Sequence, residues 1–327
     1  MSASIITKIN PVNKEEEKKK FLFDQQYNPQ FKYDHEFTVQ EYEKFGQISD
    51  QYLKQAKSII DSVIKKYGSE RKFLEEVEGP IITREEVESI LHEYIKENKI
   101  EQHFKVTFTR NVVSRTAMDQ DEMKIRLPIE YRKHAFQGIL NHEIGTHYFR
   151  TLNDRLAPWH DKRGEFGMRP KTQTEEGLAL IHQFISAEEP YLWITGLYYY
   201  GTWCAHTMSF AELNKELMPY IEDPERRWKL CLKIKRGMKD TSLPGGFSRE
   251  QRYLSGVFEV LHYLEEHEYN PEQLYAGKIA VADVDRARKL TPDRKYLLPE
   301  FLQKMSPEEY KKGIQRIKKF NFHVLHE

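Results

Sequence analysis

Two histidines and a glutamate in the segment His142–His147 (HEIGTH) have the types and spacing of a catalytic metal site. Imidazole nitrogens bind zinc, and a glutamate beside the first ligand can take a proton from water. The usual HExxH spacing places both histidines on one helical face, because residues i and i+4 are neighbours there. Here the second histidine comes at i+5, which turns the side chains roughly 140° apart in a regular α-helix. A π-bulge would bring them together, so we predict one here, eased by the small Gly145 and Thr146.

The sequence around this motif favours a zinc peptidase over a chance match, which remains the alternative in a protein with 13 histidines. Ile125–Ile129 has the pattern of a strand, and Tyr131–Arg150 has the apolar spacing of an amphipathic helix. Zinc peptidases carry their ligands on such a helix after a strand. A structural zinc site is disfavoured, because those sites use closed, cysteine-rich shells and the protein has only Cys204 and Cys231.

A catalytic zinc needs a third protein ligand and an open position for water. The segment Thr174–Ala179 (TEEGLA), which opens a helix expected to run to about Ala187, is the best source. Glutamate-ligated zinc peptidases carry the third ligand on a helix after the histidine helix. By that analogy Glu176 is the ligand and Glu175 supports a ligand or the helix start, since adjacent residues diverge by roughly 100°. The alternative is that both are acidic residues favoured in a first turn by the helix dipole.

Four blocks of the sequence resemble the microtubule-associated tyrosine carboxypeptidase family. They are HEIGTHYFR, TEEGLALIH, YNPQFKY and KRGMKDTSLPGGFSREQRYLSG, in the family order, within a similarity from about residue 21 to about residue 321. The resemblance implies a zinc enzyme that removes the C-terminal tyrosine of α-tubulin and holds one Zn²⁺ per molecule. It makes His142, His147 and Glu176 the zinc ligands and Glu143 the catalytic glutamate.

This chemistry needs two further groups, a donor for the anionic intermediate and a cation for the substrate's α-carboxylate. Tyr253 is our candidate donor, although it equally fits a core position among 19 tyrosines. For the carboxylate we favour Arg249 or Arg236, because the planar guanidinium matches its geometry. Charges of this kind are more often solvated surface groups. Glutamates upstream in a tubulin-type tail are expected to meet three lysines of the same region, Lys233, Lys235 and Lys239.

The remaining pattern predicts a helix-dominated α+β fold, and the motifs imply a zincin-like (gluzincin-type) architecture with a small sheet beside the active-site helix. A segment from Phe104 to Thr109 alternates like a strand and is expected to pair with Met123–Pro128. Thr83 and Glu86 form a candidate capping box. Pro190–Ala211 has no charge but many polar groups, which favours a buried helix over a membrane span. Further helices are predicted over Val39–Lys66, Phe210–Ile221, Pro224–Met238, Ser248–His267 and Pro307–Lys319.

Composition places limits on compartment and partners. Two cysteines in 327 residues indicate a reducing compartment, and the N-terminal stretch lacks the apolar core of a secretory signal. We expect residues 1–20 to be a disordered lead-in to one metallopeptidase catalytic domain over residues 21–327. The 51 cationic and 51 anionic side chains give no net charge, so no global field favours nucleic acid or a membrane. The expected location is the cytoplasm, on the cytoskeleton.

Three readings of function remain open on the sequence. The first is a carboxypeptidase that acts on the α-tubulin C-terminal tail on microtubules. The second keeps the chemistry and changes the peptide substrate, as family relatives in cells without tubulin must. The third is a non-catalytic module that binds acidic tails. Glu143 argues against the third, because a merely structural metal site has no use for a base beside its first ligand.

Overall fold

A computed structural model of the protein describes residues 9–35, 46–110, 112 and 114–322, which divide into two compact units. Unit 1 combines the described parts of Met1–Phe73 and Asn321–Glu327 with Tyr191–Leu254. Unit 2 combines the described parts of Leu74–Pro190 with Ser255–Phe320. That residues 21–327 act as one catalytic domain stays a prediction.

Unit 1 contains an N-terminal helix, Lys14–Phe23. Its Phe21 ring is fully buried, with its centroid 5.1 Å from that of Phe210. Glu17 is also buried and accepts a hydrogen bond of 2.7 Å from the Tyr27 hydroxyl. The expected disordered lead-in therefore differs from the structure over residues 14–20, because these buried groups fix the helix. Residues 1–8 lie outside the described part.

The charge-free segment forms a buried helix in unit 1, as predicted, but the helix is shorter than expected, Trp193–Ala205, and a second helix begins at Phe210. The helix Trp193–Ala205 packs on the helix Leu53–Tyr67, and a Cβ at Gly196 would lie 3.2 Å from the Ala56 carbonyl oxygen. Among the residues that the structure describes, no helix has both the length and the apolar character that a bilayer crossing requires.

The helix predicted over residues 39–66 begins later than expected, at Leu53. The Gln251 side chain explains the difference, because it binds both backbone groups of Ser49 at 2.8 Å and holds that stretch out of a helix. Residues 36–45 lie outside the described part. The other helices of unit 1 are Glu70–Phe73, Phe210–Leu217, Pro224–Lys235 and the 3₁₀ turn Ser248–Gln251.

Unit 2 contains a three-stranded sheet in the order β1-β3-β2. The strands are β1 (Lys105–Thr109), β2 (Thr116–Asp119) and β3 (Glu122–Arg126). The predicted pairing of the first and third segments is confirmed, and it is parallel, whereas β2 is antiparallel to β3. Met123 and Ile125 alternate into the core with no exposed surface. The β2 strand packs against the segment that carries the two histidines.

Helices dominate the rest of unit 2, which confirms the helix-dominated α+β class; the zincin-like architecture stays a prediction. The predicted capping box is present: Glu86 N donates to Thr83 Oγ1 at 3.2 Å, and Thr83 N donates to a Glu86 carboxylate oxygen at 2.7 Å. The helical elements are Leu74–Glu78, Arg84–Glu97, Phe136–Leu140, Asn141–Tyr148, Phe149–Arg155, Thr172–Phe184, most of Arg252–Glu266, Glu272–Tyr275, Val281–Asp283, Val284–Leu290, Glu300–Lys304 and most of Pro307–Asn321.

Candidate metal centre

The two histidines lie on a π-helical segment, Asn141–Tyr148, between the α-helical segments Phe136–Leu140 and Phe149–Arg155. We call this continuous element the motif helix. The wider π turn accommodates the extra residue between His142 and His147 and brings both side chains to one face. Their ring centroids are 4.8 Å apart, at an interplanar angle of 80°. The predicted π distortion is confirmed, and it extends over eight residues rather than a single bulge.

Side-chain hydroxyls satisfy several carbonyl groups of the π segment. Thr146 Oγ1 donates to the Asn141 carbonyl at 2.8 Å, and the Tyr275 hydroxyl donates to the Gly145 carbonyl at 2.8 Å. Thr151 Oγ1 donates to the His147 carbonyl at 2.7 Å. These bonds stabilise a backbone geometry that a regular α-helical ladder would not adopt.

A third histidine, His182, supports this segment from the neighbouring helix. Because Thr146 Oγ1 donates to a carbonyl, it accepts from His182 Nδ1, 2.8 Å away, and His182 Nε2 then accepts from the Tyr310 hydroxyl at 3.1 Å. Burial, and the nearby Arg150 charge, lower the pKa of His182 to about 3, so the ring is neutral. His182 was not identified from the sequence. Its hydrogen bonds to Thr146 and Tyr310 indicate that it supports the motif helix.

Glu176 meets the histidines from the helix Thr172–Phe184, which we call the Glu176 helix. One carboxylate oxygen lies 3.7 Å from His147 Nε2. One ligand atom from each of His142, His147 and Glu176 lies within 4.8 Å of the other two. The structure therefore brings together the three side chains that the sequence predicted as metal ligands.

Glu175 points to the opposite nitrogen of the same histidine. Its Oε1 lies 2.8 Å from His147 Nδ1 and 3.3 Å from Lys278 Nζ. Its Oε2 accepts from the guanidinium of Arg150, a fully buried side chain that also donates to three backbone carbonyls. Burial raises the pKa of Glu175, but Arg150, Lys278 and His147 outweigh burial and hold it well below its usual range. The carboxylate is thus ionised and fixes His147 with Nε2 toward Glu176.

The electrostatics suit a cation between these groups. Burial and the neighbouring His147 hold the pKa of His142 well below its ordinary value, so its ring is neutral, as a metal ligand must be. The Nδ1 atom of His142 is buried and has no hydrogen-bond partner among the described residues. Burial raises the pKa of Glu143, and the Glu176 charge adds to the shift. Two imidazoles and a carboxylate are a zinc donor set, and these residues fit the metal.

The other candidate residues lie in unit 1. Arg236 donates to the buried Glu250, and Arg249 lies 3.3 Å from the Tyr253 hydroxyl. Lys233 Nζ is 3.2 Å from Glu250. Lys235, expected to meet substrate glutamates, is fully buried and donates to two backbone carbonyls, so that expectation does not fit the structure. The roles of Tyr253, Arg249 and Arg236 stay predictions.

Comparison with known proteins identifies the family. The model of the microtubule-associated tyrosine carboxypeptidase family matches residues 32–321. A Mus musculus protein described as a putative tyrosine carboxypeptidase is 36% identical over 97% of this chain and 62% of its own length. The Homo sapiens microtubule-associated tyrosine carboxypeptidase 1 is 33% identical over 97% of this chain and 68% of its own. The chain thus spans about three fifths to two thirds of these relatives. It belongs to the microtubule-associated tyrosine carboxypeptidase family.

Proposed function

We propose that this protein is a zinc-dependent carboxypeptidase that removes the C-terminal tyrosine of α-tubulin. The observation that carries the chemistry is the convergence of His142, His147 and Glu176, with the half-buried Glu143 directly after the first histidine. The proposed substrate is supported by the names of the relatives. The Mus musculus relative is named a putative tyrosine carboxypeptidase, and the Homo sapiens relative a microtubule-associated tyrosine carboxypeptidase. We further propose a zincin-like architecture, a cytoplasmic location on the cytoskeleton, and neither nucleic acid nor membrane as partner.

One Zn²⁺ would be held by His142, His147 and Glu176, with Glu175 orienting His147 from behind. When bound, zinc supplies Lewis acidity that polarises a carbonyl and lowers the pKa of a water molecule. The protein's own contribution is to present two neutral imidazoles and one carboxylate in a fixed arrangement.

Glu143 is the proposed general base and acid. Burial raises the pKa of its carboxyl group, which brings it closer to the working pH. It would take a proton from the attacking water and later give that proton to the leaving amine of the tyrosine. Tyr253 remains the proposed donor to the anionic intermediate.

Two alternative functions would use some of the same residues. A carboxypeptidase of the same mechanism acting on other peptides would use the same four residues. A non-catalytic module that binds acidic tails would keep the ligands but would have no need of a carboxylate at Glu143, beside the first ligand.

The test compares the zinc-loaded wild type with Glu143→Gln on purified tubulin, by the mass of the C-terminal peptide released from α-tubulin by digestion. We expect the wild type to remove one tyrosine and Glu143→Gln to lose roughly 10²- to 10⁴-fold in rate, because the general base is gone. Glu165→Gln, an exposed position in unit 2, is the matched control and should retain full activity.

Two outcomes would contradict the proposal. Cleavage of other C-terminal tyrosine peptides, with tubulin left intact, would favour the second substrate class. Binding of tubulin by wild type and Glu143→Gln alike, with cleavage of nothing, would favour a binding module.

A further inference from the structure

A cavity of about 500 Å³ opens beside the metal centre within unit 2. His147, one of the three proposed metal ligands, forms part of its wall. Its size falls within the range of pockets that hold small ligands. Met118 provides an apolar contact, and three cationic side chains, Lys171, Lys278 and Arg163, contribute to the same lining.

Lys278 connects the cavity to the metal ligands. Its Nζ lies 3.3 Å from Glu175 Oε1, the same oxygen that lies 2.8 Å from His147 Nδ1. A group that binds Lys278 from the cavity is therefore separated from a metal ligand by one carboxylate.

Lys171 stands at the start of the Glu176 helix and has a different environment. Among the residues that the structure describes, its side chain makes no hydrogen bond and no ion pair. Burial lowers the pKa of Lys171; Glu175 opposes this, and the nearby charge of Lys278 adds to it. An amine that is partly removed from water and unpaired is a suitable partner for an incoming anion.

The charges along the cavity leave room for one more anion. Three cations face two carboxylates, Asp154 and Asp161. Asp154 already binds the backbone N–H of Lys278 at 2.9 Å and the ring of His160 at 3.1 Å, whereas Asp161 is 87% exposed. Arg163 donates to two backbone carbonyls, so its main contribution to the cavity is its positive charge rather than hydrogen bonds to a ligand. Lys171 and Lys278 are the two amines that can meet a ligand.

We propose that this cavity takes the C-terminal residue of the substrate and that Lys171 and Lys278 bind its α-carboxylate. The inference rests on the proposed carboxypeptidase function and specifies how that site selects the end of a polypeptide. An exopeptidase of this kind must recognise a carboxylate one residue beyond the bond at the metal, and the cavity holds two amines in the same lining as the ligand His147. This assignment differs from the sequence-based choice of Arg249 or Arg236, both of which lie in unit 1.

The test measures binding rather than turnover, in the zinc-loaded Glu143→Gln protein. Two peptides are compared, with the same acidic sequence ending in tyrosine as the free acid or as the amide. We expect the free acid to bind at least about tenfold more tightly, because a charge-assisted hydrogen bond is lost in the amide. Adding Lys171→Met should abolish most of that preference, and Lys171→Arg should retain it. Lys162→Met, which removes an exposed lysine nearby, is the matched control.

A third peptide separates the α-carboxylate from the acidic side chains, with the penultimate glutamate replaced by glutamine and the free acid kept. The carboxylate assignment is overturned if Lys171→Met changes the affinity lost on replacing this glutamate but leaves the acid-over-amide preference intact. It is also overturned if the starting protein binds acid and amide equally. Failure of the proposed function is measured separately, as the absence of cleavage by the wild type. The acid-over-amide preference is read from binding to Glu143→Gln and does not depend on that cleavage.

Discussion

At the residue scale, Glu175 decides how His147 is presented. Its carboxylate lies between His147 Nδ1 on one side and Arg150 and Lys278 on the other. A ligating histidine whose other nitrogen binds a carboxylate has a fixed tautomer and ring orientation, which strengthens metal binding. The buried Arg150 completes the arrangement, because its Nε and Nη2 atoms donate to backbone carbonyls while Nη1 donates to Glu175.

Replacement of this carboxylate should affect both metal binding and folding. We expect Glu175→Gln to weaken zinc binding roughly 10- to 100-fold, because the orienting charge on His147 is lost. The free energy of unfolding should fall by roughly 3 to 5 kcal/mol, since Arg150 keeps a buried charge without its counter-ion. Competition with a chelating dye measures the affinity, and urea unfolding measures the stability. Glu165→Gln is the control, and equal values for the two variants would show that Glu175 has no supporting role.

At the scale of the element, the distortion of the motif helix was predictable from the spacing of its histidines. The i+5 separation of His142 and His147 is incompatible with a regular α-helix if both bind one ion, so the motif itself required a π turn. The choice of Glu176 came from analogy with glutamate-ligated zinc peptidases, and the divergence of adjacent residues implied that Glu175 could not face the same ion. The capping box at Thr83 was equally local. The π turn and the capping box depend on residues within one or two helical turns of each other.

The groups that hold those helices were not predictable, because they come from distant parts of the sequence. The Tyr275 and Tyr310 hydroxyls lie more than a hundred positions from the groups they bind. Nothing in a single sequence distinguishes these tyrosines from the other 17. Arg150 carried a weak local signal, one helical turn after His147, but its partner Glu175 is 25 positions away. Tertiary contacts of this kind need the fold first.

Close helix contact offers a test at this scale. A Cβ at Gly138, on the motif helix, would lie 2.2 Å from the Gln183 carbonyl oxygen near the end of the Glu176 helix. A backbone carbonyl cannot turn away from the new methyl group as a flexible side chain could. Gly138→Ala should therefore separate the two helices by about 1 Å and misplace Glu176 relative to the histidines. We expect zinc affinity to fall, measured by dye competition. Gly164→Ala, where the same atom meets nothing within 4 Å, should keep the wild-type affinity. Unchanged affinity in Gly138→Ala would contradict the close packing.

At the scale of the whole molecule, the balance of charge makes recognition a local matter. The 51 cationic and 51 anionic side chains cancel, so long-range steering toward an acidic tail is weak. Attraction must come from places where cations exceed anions, and the cavity beside His147 is one such place. A whole-sequence count could exclude a general electrostatic attraction, but it could not locate this cavity, whose lining spans residues 118–278.

The metal should also stabilise the folded molecule, because its ligands converge only when the motif helix and the Glu176 helix are in place. A ligand that binds only the folded state stabilises it by an amount that grows with the logarithm of its concentration relative to the dissociation constant, about 4 kcal/mol at a thousandfold excess. We therefore expect a chelator to lower the thermal midpoint of the wild type by several degrees and zinc to restore it. In His142→Ala the chelator should have no effect. His262→Ala, which removes a histidine with 75% side-chain exposure, should behave as wild type. A zinc-dependent midpoint that survives in His142→Ala would place the stabilising ion elsewhere.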